Sequence, residues 1–265
     1  MDSHSLNDQV RDSWNSNAAF WDEKMAEGNQ FQRILVGPAA ERLLDLKPGE
    51  LVLEIASGNG VFARRMAQLG AQVIATDFSE KLLEQAQKRG TEFAGHIEYR
   101  LADATDEEQL LSLGKRRFDA IACNMAIMDM TTIEPLMNAA SQLLKDDGRF
   151  VLSVMHPCFN NAGTKLTAEE EDTGGEIKEV HAIKILKYIG QTPQKGIGII
   201  GQPVPQYYFF RTLSEIFNTC FRAGFVLDGL EEPAFGDEDA GTYWFSWANY
   251  KGIPPVLVAR LRLAH

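Results

Sequence analysis

One stretch limits what this chain of 265 residues can fold into: Leu51 to Asp77, LVLEIASGNGVFARRMAQLGAQVIATD. Leu51, Val52, Leu53 and Ile55 form a short apolar run of the kind that is buried on both faces of a parallel sheet. Ser57-Gly58-Asn59-Gly60 breaks the run with residues that tolerate positive φ and close approach of other backbone. Phe62, Met66 and Leu69 then recur at helical spacing, with Arg64, Arg65 and Gln68 turned outward. Gly70 suits the end of that helix, and Val73 to Thr76 makes a second strand closed by Asp77. A strand, a glycine turn, a helix and a second strand make a βαβ unit, and its turn is built to meet a ligand.

The physical reason lies at the helix start. Backbone N–H groups and the positive end of the helix face outward there and can meet an electronegative ligand atom. A carboxylate at the tip of the neighbouring strand can accept hydrogen bonds from both ribose hydroxyls. Asp77 follows Gly58 by close to the roughly 20 residues expected of a nucleotide fold. Gly58-x-Gly60-x-x-Ala63 also fits the dinucleotide fingerprint, so the turn alone leaves NAD and other adenosine cofactors both open.

Composition narrows the partners. A formal net charge of −11 repels phosphate backbones and argues against a nucleic-acid substrate. No apolar run approaches the roughly 18 residues needed to span a membrane, and the polar start MDSHSLNDQVRDSWN has no signal-peptide core. The expected location is therefore the cytoplasm. Cys123, Cys158 and Cys220 are widely spaced and odd in number, which fits free thiols and gives no metal-ligand pattern with the histidines. The acidic run Glu169 to Asp172 is expected in a solvated loop or helix start.

Along the chain, residues 8–46 are expected to be helical and carry Trp14, Phe20 and Trp21, a cluster that can form a lid over a bound small molecule. Ser79 is a plausible N-cap of the helix after Asp77, and Phe78 stands where its face could cover an adenine. Ile97 to Leu101 is a third strand that ends in Ala102-Asp103-Ala104, where Asp103 can accept from an adenine amino group or cap the next helix. Phe118 to Cys123 is a fourth strand ending at Asn124. Thr131-x-x-Glu134 has the pattern of a capping box, with Pro135 in the first turn. Arg149 to Met155 is a fifth strand, ending in His156-Pro157-Cys158. Strict β/α alternation to this point predicts a parallel sheet with helices on both faces. It stops at residues 159–206, read as a small β insertion. A helix from Thr212 follows, then strands from Gly224 to Leu230 and from Pro255 to Leu263. With no crossover helix between them, these two form an antiparallel hairpin at the sheet edge.

Taken together, VLEIASGNG (52–60), IATDFS around Asp77, LADAT (101–105), FDAIACNMAIMD (118–129), LLKDDGRFVLSVMHP (143–157) and RTLSEIFNTCFRAGFVLDGLEEP (211–233) resemble the class I S-adenosylmethionine-dependent methyltransferases. The resemblance covers roughly residues 45–265 apart from the insertion. It implies an α/β, Rossmann-like, doubly wound seven-stranded sheet with an antiparallel last strand, here with an N-terminal helical lid (1–46) and a small β insertion or cap (159–206). The core would be 47–158 and 207–265. It also implies S-adenosylmethionine as cofactor and S-adenosylhomocysteine as product. By the same resemblance Glu54, Ala56, Ser57, Gly58 and Gly60 form the turn around the methionine end of the cofactor. Asp77 holds the ribose, Phe78 the adenine face, Asp103 and Ala104 the adenine edge, and Asn124 the turn after the fourth strand. Ala56 stands where the family has its first glycine.

Methyl transfer from a sulfonium needs an aligned nucleophile and little water rather than a triad or a metal. His156, at the carboxyl end of the fifth strand, is the candidate base if the acceptor has to lose a proton, and it competes with a plain anchoring role before Pro157. Trp21, His156 and Tyr207 are candidate substrate contacts, with His181 a further one in the insertion. The expected activity is methylation of a small molecule. An NAD-dependent oxidoreductase and a protein that binds S-adenosylmethionine without turnover are the alternatives.

Overall fold

In a computed structural model, which describes residues 3–239, 241 and 243–264, the chain opens with a long helix α1 (Ser3–Met25). A π-helical stretch (Phe31–Val36) then runs into α2 (Gly37–Leu44). β1 (Leu51–Ile55), α3 (Val61–Gln68), β2 (Gln72–Asp77), α4 (Glu80–Arg89), β3 (Ile97–Leu101), α5 (Glu107–Leu111), β4 (Phe118–Asn124), α6 (Glu134–Leu143) and β5 (Leu144–Met155) follow in strict alternation. Two small hairpins interrupt it: β6 (Thr164–Thr173) with β7 (Glu176–Ile185), and β8 (Gln194–Gly196) with β9 (Gln206–Tyr208). The chain closes with α7 (Leu213–Arg222), β10 (Phe225–Glu231) and β11 (Val256–Leu263).

Seven strands make one sheet in the order β10-β11-β5-β4-β1-β2-β3. β3, β2, β1, β4 and β5 are parallel, and β11 enters antiparallel between β5 and β10. The order reverses between β1 and β4, and an open α/β sheet binds its ligands at such a switch point, outside the carboxyl ends of the strands. Both faces are covered, as the continuous apolar strands require. α2 and α3 pack on Val52, Val73, Ala75 and Val151, and α5, α6 and α7 pack on Leu53, Ile121, Phe150 and Leu152 on the other side. Among the described residues no helix is long and apolar enough to cross a membrane.

Three local expectations need correction. Thr131 and Glu134 do not form a capping box. Ile133 occupies the N-cap of α6, and Glu134 accepts from the Thr132 hydroxyl at 2.5 Å, so the acid reaches back one residue short of the box. Asp106, not Asp103, caps α5, accepting from the backbone N–H of Gln109 at 3.1 Å. The acidic run 169–172 lies at the tip of the β6–β7 ladder, paired with residues 177–180. A hairpin whose two faces are both solvated carries charge at every position without penalty, so the run reads like a loop in sequence.

α1 docks through polar side chains as well as through the buried Val10 and Ala18. Asn7 donates to Asp103 at 2.6 Å, Asn15 accepts from the Ser79 hydroxyl at 2.7 Å, and the Asn17 amide bonds both backbone groups of Val204 at 2.9 and 3.0 Å. At its far end Asp22 pairs with Arg89, and Asn59 of the glycine turn reaches the Ala26 carbonyl at 3.3 Å. The helix is thereby fastened to α4, the turn and the second hairpin at once.

Candidate active site

At the carboxyl ends of β1, β2 and β4, under α1, lies a cavity of about 570 Å³, within the range of small-molecule sites. Of the residues expected to hold the cofactor, Glu54, Ala56, Ser57, Gly58, Asp77, Phe78, Ala104 and Asn124 are on its wall, and so is Trp21. The structure therefore gathers most of the sequence candidates around one space.

The turn has the geometry its residues predict. Ala56, Gly58 and Gly60 all have positive φ, at 56°, 57° and 73°. Ala56 is the one side-chain-bearing residue of the three, and the left-handed region costs it about 1–2 kcal/mol that glycine would not incur. Asp77 is 3% exposed. It accepts from the Gly58 N–H at 2.8 Å and the Ser79 N–H at 2.9 Å, so it ties the turn to the start of α4. Gly60 is set back from the cavity. A Cβ there would come within 3.2 Å of Ala86 and of the Tyr99 hydroxyl, so this glycine serves helix–strand packing rather than ligand contact.

Polar atoms without partners mark where a ligand fits. Glu54 Oε2, Ser57 Oγ, Asn124 Nδ2 and Trp21 Nε1 are buried, have no hydrogen-bond partner, and belong to residues on the cavity wall. Buried polar groups are nearly always satisfied in a finished structure, so four orphans around one space point to a polar ligand. Burial, then the nearby Asp77, pushes the Glu54 carboxyl up to about 8, and burial pushes Asp77 up to about 6 against the restraint of its backbone donors. Both values lie above those of the unfolded chain, so the native state keeps protons that the unfolded state releases. The stability these acids allow is present below about pH 4 and is lost as pH rises towards 8, at about 1.4 kcal/mol for each tenfold difference in proton affinity between the two states. Glu54→Gln should therefore raise the melting temperature of the ligand-free protein at pH 8 by several degrees and change it little at pH 4. Thermal melts at the two pH values check this; an equal effect at both would refute the buried-charge account.

Four candidates are placed differently from expectation. His156 is 2% exposed and off the cavity wall. Its Nδ1 accepts from the Cys158 N–H at 3.1 Å, which leaves the proton on Nε2 to donate to Glu232 at 2.7 Å. With both nitrogens engaged and the tilted Phe159 ring packed against it at 4.5 Å, it anchors the turn after β5 and is off the cavity wall. Asp103 is also off the wall: Asn7 and the Thr105 N–H and hydroxyl take its carboxylate, so it holds α1 instead of facing an adenine. Tyr207 is one residue out of phase. Side chains alternate along a strand, so Gln206 and Tyr208 face the cavity while the Tyr207 hydroxyl donates to Gln9 at 2.8 Å. His181 contacts the Trp244 carbonyl at 3.1 Å and packs on Tyr250, bracing the loop that contributes Tyr243 and Trp247 to the wall.

The residues that sequence reasoning passed over are Asp129, Gln206, Tyr208 and Trp247, all on the wall. The available signal was Asp129 itself, an acid ending the apolar run MAIMD just after the fourth strand.

A family model described as a methyltransferase domain matches residues 53–152. Over 234 residues the chain is 26% identical to an uncharacterized protein of Haemophilus influenzae, covering 86% of this chain and 87% of that one. It is 32% identical over 113 residues to the ubiquinone biosynthesis O-methyltransferase of Xanthomonas oryzae, covering 43% of this chain and 46% of the relative. That alignment spans less than half of the relative's length. Among solved structures, an S-adenosylmethionine-dependent methyltransferase from Mesorhizobium loti is similar with a TM-score of 0.63 at 24% identity, covering 85% of this chain and 96% of that chain.

Proposed function

We propose that this chain is a class I S-adenosylmethionine-dependent methyltransferase, a reading its matched domain and its sheet support, and that it methylates a small molecule enclosed beneath α1 and the inserted hairpins. The cavity carries this proposal, because the donor turn and an aromatic chamber roofed by the N-terminal helix open into the same space. A macromolecular acceptor would need an open approach to the turn. α1 lies across it instead, held by Asn7, Asn15 and Asn17.

S-adenosylmethionine supplies a methyl group on a positively charged sulfur, already activated for in-line displacement. The chain's own task is to bind, align and exclude water. Asp77 is positioned for a ribose, and Phe78 for the face of the adenine. The free Oε2 of Glu54 and the Gly58 region suit the charged methionine end, and the orphan Asn124 amide can fix a carbonyl or carboxylate oxygen nearby. Segments 1–46 and 159–206 act as walls of the acceptor chamber. The acidic balance and the enclosed site favour a small-molecule partner and a cytoplasmic setting, with neither nucleic acid nor membrane as substrate.

Calorimetric titration with S-adenosylmethionine, S-adenosylhomocysteine and NAD in parallel tests the cofactor assignment. Micromolar binding of the first two and none of NAD is expected. Binding of NAD alone would return Gly58-x-Gly60-x-x-Ala63 to a dehydrogenase role.

A further inference from the structure

Among the described residues the cavity wall carries three carboxylates, Glu54, Asp77 and Asp129, and no lysine, arginine or histidine. Glu54 and Asp77 belong to the donor turn. Asp129 does not: it ends the short turn 127–129 after β4 and faces Gln206 of β9, whose Nε2 is 3.5 Å from Oδ1. The nearby cation is spoken for. Arg211 gives its guanidinium to the carbonyls of Ile127 and Met130 at 2.8 Å each, and to those of Phe209 and Thr131 at 3.3 and 3.2 Å. Among the described residues no side chain neutralises Asp129, and burial pushes its carboxyl well above the usual range. An acid held this way stays protonated while it is alone, and it releases its proton to solvent and ionises when a cation arrives beside it.

The rest of the wall is suited to such a partner. Trp14, Trp21, Tyr208, Tyr243 and Trp247 offer aromatic faces, which attract cations as well as apolar bodies. Met25, Met125, Met128, Met130 and Met155 supply adaptable apolar surface between them. A phenolate or carboxylate acceptor would find no cation on this wall to hold it.

We infer that the methyl acceptor is an amine with an apolar or aromatic body, and that Asp129 receives its ammonium end in a chamber of tryptophan, tyrosine and methionine. This rests on the methyl transfer proposed above and narrows it to nitrogen. The ammonium gives one proton to Asp129. The freed lone pair forms the N–C bond as the C–S bond breaks with its electron pair left on sulfur. The methylated nitrogen keeps the positive charge until a second proton leaves to solvent.

The test uses the full chain saturated with S-adenosylhomocysteine, with phenethylamine and tryptamine as probes against phenethyl alcohol and tryptophol, read by tryptophan fluorescence and calorimetry. The amines should bind at least ten times more tightly than the matched alcohols. Asp129→Asn, which keeps the side chain's shape, should erase that preference while leaving S-adenosylhomocysteine affinity unchanged. Alcohols binding as well as amines, or an Asn variant that keeps the preference, would overturn the amine assignment alone. Failure of S-adenosylhomocysteine itself to bind would overturn the methyltransferase function and the amine assignment with it.

Discussion

Asp77→Ala is expected to weaken S-adenosylhomocysteine binding by ten- to a hundred-fold in a protein that still folds. The residue acts twice. Its carboxylate faces the cavity, where hydrogen bonds from ribose hydroxyls to an ionised acceptor are worth about 1.5–3 kcal/mol together. It also accepts from the Gly58 N–H at 2.8 Å and the Ser79 N–H at 2.9 Å, so alanine leaves the donor turn without its tie to α4. Asp77→Asn keeps a carbonyl for one of those donors and should fall between wild type and alanine. Calorimetry on the three proteins, with circular dichroism as the check on folding, decides the matter. Unchanged affinity in folded Asp77→Ala would remove Asp77 from the cofactor site.

The second large effect lies below the sheet, far from the chemistry. Arg149 of β5 is 8% exposed. It makes a two-pronged pair with Glu50 at 2.8 and 2.5 Å and also donates to the carbonyls of Leu44, Asp45 at 3.2 Å and Asp119 at 3.2 Å. One guanidinium thus closes the end of α2, the entry to β1 and the start of β4. Arg149→Met fills similar space but removes the guanidinium from three carbonyls and leaves Glu50 with only the Lys47 N–H, at 2.8 Å. Breaking a buried pair from one side costs about 3–5 kcal/mol. The melting temperature should fall by about 6–20 °C at the roughly 2–4 °C per kcal/mol usual for larger domains. A fall of under about 2 °C would show that water replaces the guanidinium at little cost. Glu50→Gln, which keeps an acceptor, should fall less.

The sheet was legible because its determinants are local. The run 51–55, the glycine turn and the lack of a crossover between 230 and 255 together dictate the order in which strands are laid down, and β11 takes the antiparallel place they imply. The half of the cavity lined by Glu54, Ser57, Gly58, Asp77 and Phe78 was legible for the same reason, since all five stand within one βαβ unit. The acceptor half was much harder to see. Asp129, Tyr208 and Trp247 come from segments that meet only in the folded state, and the phase of a three-residue strand such as β9 decides whether Tyr207 or Tyr208 turns inward. His156 stood at the right end of the right strand. What removed it was Glu232, 76 residues downstream, a partner that no spacing rule could nominate.

The docking of α1 has a consequence for how the protein is made. This helix is synthesised before the other elements of the fold, yet the Asn17 amide bonds Val204, 187 residues later. α4 and Arg89 emerge early enough to seat it over the donor turn, but its other anchor is translated only when most of the chain has appeared. The half of the cavity proposed to hold the methyl donor can thus be complete while the half proposed to take the acceptor still lacks a wall. A nascent chain should gain the ability to bind nucleoside well before it can recognise anything to methylate.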